Sequence, residues 1–100
     1  MEDNRTIYEK ILWKALNVFG PEMQITVCVE EMSELTKELC KAKRGSENRK
    51  NIAEEIADVR IMLDQMEMLF SIKKLAKDAT EAKLLRLNTR IKEAEHEREA

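Results

Sequence analysis

Turn-forming residues are almost missing from this chain: two glycines and one proline in 100 residues. So few leave little scope for a many-stranded sheet, whose turns draw heavily on them. Aromatic residues make up only 4% of the sequence, so any core must come from aliphatic side chains and the six methionines, which serve as gap fillers. The single histidine, His96, lies in a polar C-terminal stretch, which argues against zinc sites and His-based nucleophilic catalysis. Cys28 and Cys40 stand twelve residues apart, a spacing that makes neither a CxxC pair nor a disulfide framework, so both are read as reduced thiols. No apolar run approaches the roughly 20 residues of a membrane span. The start, Met1-Glu2-Asp3-Asn4, is unlike a secretory signal, and a cytoplasmic protein is expected. A net charge of -2 offers no broad attraction to a nucleic acid polymer or an anionic membrane.

What is present is charge and aliphatic periodicity. Charged residues form 38% and apolar residues 43% of the chain, a balance suited to helices with wet outer faces. The length allows one domain, residues 1–100, and the expected class is all-α: an antiparallel bundle of about four helices. Ile7, Ile11, Leu12, Ala15, Val18 and Phe19 mark a first amphipathic helix over about 5–19, with Trp13 off its stripe. Gly20-Pro21 ends it and starts a second, since proline suits a first helical position.

From there Ile25, Cys28, Met32, Leu35, Leu39 and Ala42 recur at intervals of 3, 4, 3, 4 and 3, a heptad seam. Gly45 is a natural left-handed cap, and Ser46 or Asn48 can cap the next helix. Ile52, Ile56, Val59, Leu63, Met66 and Phe70 continue the seam over about 48–70. Ile61, Met62, Met68 and Leu69 lie off that seam, so this helix is expected to be buried on more than one side, and a homo-oligomer (dimer or tetramer) is expected. Ser71 can cap a fourth helix, although a continuous helix is possible. Leu75, Ala79, Ala82, Leu84 or Leu85, Leu87 and Ile91 give that segment a weaker stripe, and residues after Lys92 should fray.

Two acidic clusters flank the turn: Glu30-Glu31-Met32-Ser33-Glu34 and Glu54-Glu55-Ile56-Ala57-Asp58. With Met32 and Leu35 at heptad positions a and d, Glu31 is g and Glu34 is c; with Ile56 and Val59 at a and d, Glu55 is g and Asp58 is c. In an antiparallel hairpin these flanks border each other. Residues level with one another have a constant sum of residue numbers, and Glu31 with Asp58 has the same sum as Glu34 with Glu55. The sequence therefore predicts four converging carboxylates, with Glu38 one heptad further along able to border them. Such a cluster repels itself by one to several kcal/mol even at an effective dielectric near 20, unless a cation sits among the acids. Oxygen donors without histidine suit Mg²⁺, with Mn²⁺ possible, and not a di-iron centre.

These residues resemble the MazG-like all-α nucleoside triphosphate pyrophosphohydrolases, in the motif form E-E-x-x-E-L followed by E-E-x-x-D-V. Gly20-x-x-x-Gln24 and Lys83-x-x-Arg86-Leu87-x-x-Arg90-Ile91 extend the similarity over about residues 5–92. The resemblance implies hydrolysis of a nucleoside triphosphate between the α and β phosphates, giving nucleoside monophosphate and pyrophosphate with Mg²⁺. It implies Glu31, Glu34, Glu55 and Asp58 as metal-binding and catalytic residues. Lys83, Arg86 and Arg90 share one face of the last helix, a spacing that would present cations to a polyphosphate. Gln24, one heptad before Glu31, is placed to touch the base or sugar. Trp13 could stack on a base or make a core or oligomer contact. The alternatives are phosphoribosyl-ATP pyrophosphohydrolysis and a non-catalytic regulatory or scaffold bundle.

Overall fold

A computed structural model describes residues 3–99. Those residues contain four helices and no strand: α1 (Ile7–Phe19), α2 (Pro21–Lys43), α3 (Arg49–Leu69) and α4 (Lys73–Glu99). Among the described residues, no helix is long and apolar enough to cross a membrane.

Each boundary has a local cause. Thr6 caps α1 in a reciprocal capping box with Glu9, satisfying two of the free amides of the first turn. Gly20, at φ +90°, breaks the chain direction, and Pro21 opens α2. α2 ends in a Schellman motif: the Ser46 amide donates to the Lys41 carbonyl and that of Gly45 to Ala42, with Gly45 at φ +96°. α3 ends in the same motif, Ile72 donating to Glu67 and Ser71 to Met68, so Ser71 adopts φ +54°. Helices α3 and α4 are thus separate, and Ser71 terminates α3 instead of capping α4. The helix α4 runs through 92–99, where fraying was expected from the sequence; no glycine or proline interrupts it, and Ala, Glu, Lys and Arg all favour helix.

The principal packing unit is the α2–α3 hairpin. α1 lies against both of its helices, and α4 touches only α3. The fourth helix therefore does not close a bundle within one chain.

The packed seam of the hairpin is turned relative to the predicted a/d stripe. On α2, Gln24, Cys28, Glu31, Leu35, Glu38 and Ala42, heptad positions g and d, are buried or half-buried, with Val27 and Lys41 half-buried beside them at c. On α3 the same positions, Ile52, Glu55, Val59, Met62, Met66 and Leu69, face inward. Of the a residues, Ile25, Met32, Leu39, Leu63 and Phe70 are exposed and Ile56 is half-buried. The cause is competition for faces. α3 is apolar on several sides; α2 occupies one, and α1 occupies another through Tyr8 and Leu12 beside Asp64 and Met68. The a side remains uncovered.

Among the described residues the buried apolar set is small: Leu12, Leu16, Cys28 and Met62. The accessible surface is 8478 Å², whereas a folded monomer of this mass exposes about 5,900 Å². The radius of gyration, 17.8 Å, likewise exceeds the roughly 13 Å of a compact 100-residue domain. Much of the excess is α4, none of whose residues is buried and whose Leu75, Leu84, Leu85, Leu87 and Ile91 stand exposed.

Candidate metal centre

The hairpin register sets the site. Three polar pairs cross from g positions of α2 to c positions of α3, one heptad apart: Gln24 with Gln65, Glu31 with Asp58, and Glu38 with Asn51. All three pairs have the same sum of residue numbers, so they form rungs of one ladder about the turn at Gly45.

The outer rungs are complementary. Gln24 Nε2 donates to Gln65 Oε1 at 2.8 Å, both residues being buried, and Gln65 Nε2 in turn reaches Met62 Sδ at 3.5 Å. At the other end, Asn51 Nδ2 donates to Glu38 Oε1 at 3.4 Å, and Asn48 Nδ2 donates to Glu38 Oε2 at 3.3 Å. The central rung pairs two carboxylates, with no amide donor between them.

Glu55 joins that central rung. One carboxylate oxygen from each of Glu31, Glu55 and Asp58 lies within 4.8 Å of the others. Glu34 is exposed and stands outside this trio, so three of the four predicted acids meet. The reason is electrostatic: with nothing positive between them, the flexible Glu34 side chain is driven outward to water. Its charge still reaches the cluster, since it helps raise the pKa values of Glu31 and Glu55. Glu30 and Glu54 point to solvent.

Burial first, and then the Asp58 charge and a hydrogen bond to Asp58, push the Glu31 carboxyl above the ordinary range; Glu55 and Glu34 add to this. Glu55 is raised by burial and by Asp58, Glu34, Glu38 and Glu54. Glu55 Oε2 is buried without a hydrogen-bond partner. Buried polar atoms are ordinarily satisfied, and this oxygen and Asn48 Oδ1 are the two exceptions among the described side chains; Glu31 beside Glu55 is half-buried and Asp58 is exposed. The ion pairs among the described residues, Arg5–Asp3, Lys41–Glu38 and Lys74–Asp78, supply no cation to the trio. An all-oxygen, anionic donor set of this kind fits a hard divalent ion such as Mg²⁺ or Mn²⁺.

A hollow of about 170 Å³ adjoins the acids, lined by Val27, Glu31, Asp58, Ile61 and Met62. It is charged on one side and apolar on the other. Gln24 is not on this open flank but inside the hairpin, holding Gln65, which in turn contacts Met62. Lys83, Arg86 and Arg90 are exposed on α4 and make no ion pair with the acids. Trp13 is 40% exposed, with the Arg5 guanidinium 5.8 Å above its ring.

Glu38, Asn48, Asn51 and Gln65 give the ladder its outer rungs. Their signal in the sequence was heptad spacing: Asn51 precedes Asp58 by one heptad, and Gln65 follows it by one. Comparison of the chain with family models, characterised proteins and solved structures gives no match. The functional reading rests on the motif and on the geometry of these side chains.

Proposed function

We propose that this protein is a Mg²⁺-dependent, MazG-like nucleotide pyrophosphohydrolase that cleaves nucleoside triphosphates between the α and β phosphates. The observation that carries the reading is the central rung, a carboxylate trio between two rungs that are joined by amide hydrogen bonds. Glu31, Glu55 and Asp58 hold the cation, and Glu34 borders it. When bound, Mg²⁺ offsets the triphosphate charge and lowers the pKa of the attacking water. The water oxygen bonds to the α phosphorus, the α–β bridging oxygen leaves with pyrophosphate, and a carboxylate takes the water proton. Glu34, outside the trio, is the acid left free for that proton. The apolar wall of Val27, Ile61 and Met62 beside the acids favours a substrate with a base over inorganic polyphosphate.

The working form is a homo-oligomer, dimer or tetramer. An excess surface on the order of 2,600 Å² per chain is more than the roughly 800 Å² per partner that a standard interface buries, which leaves room for one or more such contacts. Within one chain Lys83, Arg86 and Arg90 stand away from the acids, so bringing them to the phosphates falls to the assembled form.

The test is a panel of nucleoside triphosphates and phosphoribosyl-ATP, with and without Mg²⁺, scoring pyrophosphate against orthophosphate for wild type and Glu31→Gln. Mg²⁺-dependent pyrophosphate release, lost in the variant, is expected. Absence of pyrophosphate from every substrate, or full activity in Glu31→Gln, defeats the proposal. Activity confined to phosphoribosyl-ATP moves the substrate while keeping the chemistry.

A further inference from the structure

The ladder has a second consequence, at its rung nearest the turn. Glu38 is buried, at 7% exposure, although it is a carboxylate. A buried carboxylate persists only where donors surround it. Three reach it here: Asn48 Nδ2 at 3.3 Å, Asn51 Nδ2 at 3.4 Å and Lys41 Nζ at 3.8 Å. Asn48 Nδ2 also donates to the Glu38 backbone carbonyl at 2.9 Å.

Two of these donors belong to the start of the opposite helix. Asn48 occupies the N-cap position of α3, where its Nδ2 donates to Glu38 and its Oδ1 accepts no cap bond. Asn51 lies one turn before Glu55 and one heptad before Asp58, on the face that carries both. Fixing Asn48 and Asn51 to Glu38 therefore sets both the rotation and the height of α3 against α2, about 10 Å from the acid trio.

We propose that Glu38 is a positioning residue for the cation site, holding α3 in the register that opposes Glu31 to Asp58. This rests on the reading of the trio as a cation site. The outward repulsion of that trio makes a lock necessary: three carboxylates in the seam push α2 and α3 apart, and a rung of matched partners one heptad away holds them together. Gln24 with Gln65 does the same at the open end.

The experiment titrates Mn²⁺ alone into the full chain, reading free Mn²⁺ by electron paramagnetic resonance well below each variant's melting temperature. Amide hydrogen exchange over residues 52–58 is measured on the metal-free protein. Glu38→Ala and Asn51→Ala are expected to weaken Mn²⁺ binding about tenfold and to accelerate exchange, as loss of a supporting partner does in metal sites. Glu38→Gln keeps an acceptor oxygen for Asn51 and leaves Asn48 Nδ2 its bond to the residue-38 backbone carbonyl, and is expected to restore most of the affinity. Should Glu38→Ala fail to fold, Asn51→Ala, at an exposed position, carries the same test.

Unchanged Mn²⁺ affinity in the folded variants overturns the proposal, because a residue that only stabilises the turn lowers the melting temperature and nothing else. Glu38→Gln binding as weakly as Glu38→Ala also overturns it, assigning the effect to charge instead of register. If wild type binds no Mn²⁺, the cation reading falls by itself. The exchange measurement then decides the register role alone, and unchanged exchange in Glu38→Ala rejects it.

Discussion

Glu31 on α2 and Asp58 on α3 oppose each other across the hairpin with no amide or cationic side chain between them, one heptad from a matched Gln24–Gln65 pair on one side and from Glu38–Asn51 on the other. Apolar burial alone does not place like charges there, since an Ala or Leu at either position packs at less electrostatic cost.

Stability of the metal-free protein should therefore fall with rising pH. The folded-state pKa values of Glu31 and Glu55 are raised from 4.5, so their favourable contribution is present below that value and lost as pH rises through the higher folded values. Glu31→Gln should flatten this slope, raise the metal-free melting temperature at pH 7 by a few degrees, and remove the Mg²⁺-induced rise. Millimolar Mg²⁺ at about 100 times its Kd stabilises wild type by about 2.7 kcal/mol. Thermal melts over pH 4–8 with Mg²⁺ or chelator check both effects.

Replacing Lys83, Arg86 or Arg90 by Ala should raise KM for a triphosphate by about tenfold each while changing kcat less, since a cation that meets the phosphates equally in ground and transition states contributes uniform binding. Steady-state kinetics decide it. Unchanged KM in all three would remove α4 from the substrate site.

Assembly should depend on α4. Light scattering after size exclusion is expected to give a multiple of 11.7 kDa for wild type and a smaller mass for Leu87→Glu, which places a charge on an exposed apolar stripe. A monomeric wild type would contradict the interface.

Tyr8 supplies an alkaline signature. Its hydroxyl donates to Asp64, and that bond, with burial and the Asp64 charge, pushes the phenol up to about 12 from 10.0. A raised folded value means the α1–α3 contact is intact below pH 10 and lost between about 10 and 12. Tyr8→Phe should be less stable at pH 8 and less sensitive across that interval, as read by denaturant midpoints.

Ser71→Gly should stabilise the chain by about 1 kcal/mol, because φ +54° costs a residue with a Cβ and costs glycine nothing. For a domain of this size that is about 4–8 °C in melting temperature. A fall on substitution would show that glycine's greater freedom in the unfolded chain outweighs the relief of strain.

Much of the architecture was legible because it is local. Gly20-Pro21, Gly45 and the two apolar stripes place α1, α2 and α3 within a residue or two of their observed bounds, since caps and 3.6-residue periodicity act over one or two turns. Helix level was legible too, because a short turn forces residues with a common sum of numbers to meet. Rotation about the helix axes was not. Whether a or g lines the seam depends on how α1 shares the faces of α3, a contact between residues about fifty positions apart, as in Tyr8 with Asp64. Gln24 shows the consequence: expected on the site's flank, it is buried in the hairpin.

The sequence by itself determined that the chain is helical, where its first turns fall, and that Glu31, Glu55 and Asp58 share one level of a hairpin, because propensity, capping and heptad spacing are properties of neighbouring residues. Only the tertiary structure decided that Glu34 turns away, that Glu38 and Gln24 close the rungs on either side, and that α4 stands free of the other helices' core. Those outcomes follow from charge repulsion and competition for apolar faces, which exist only once the helices have packed.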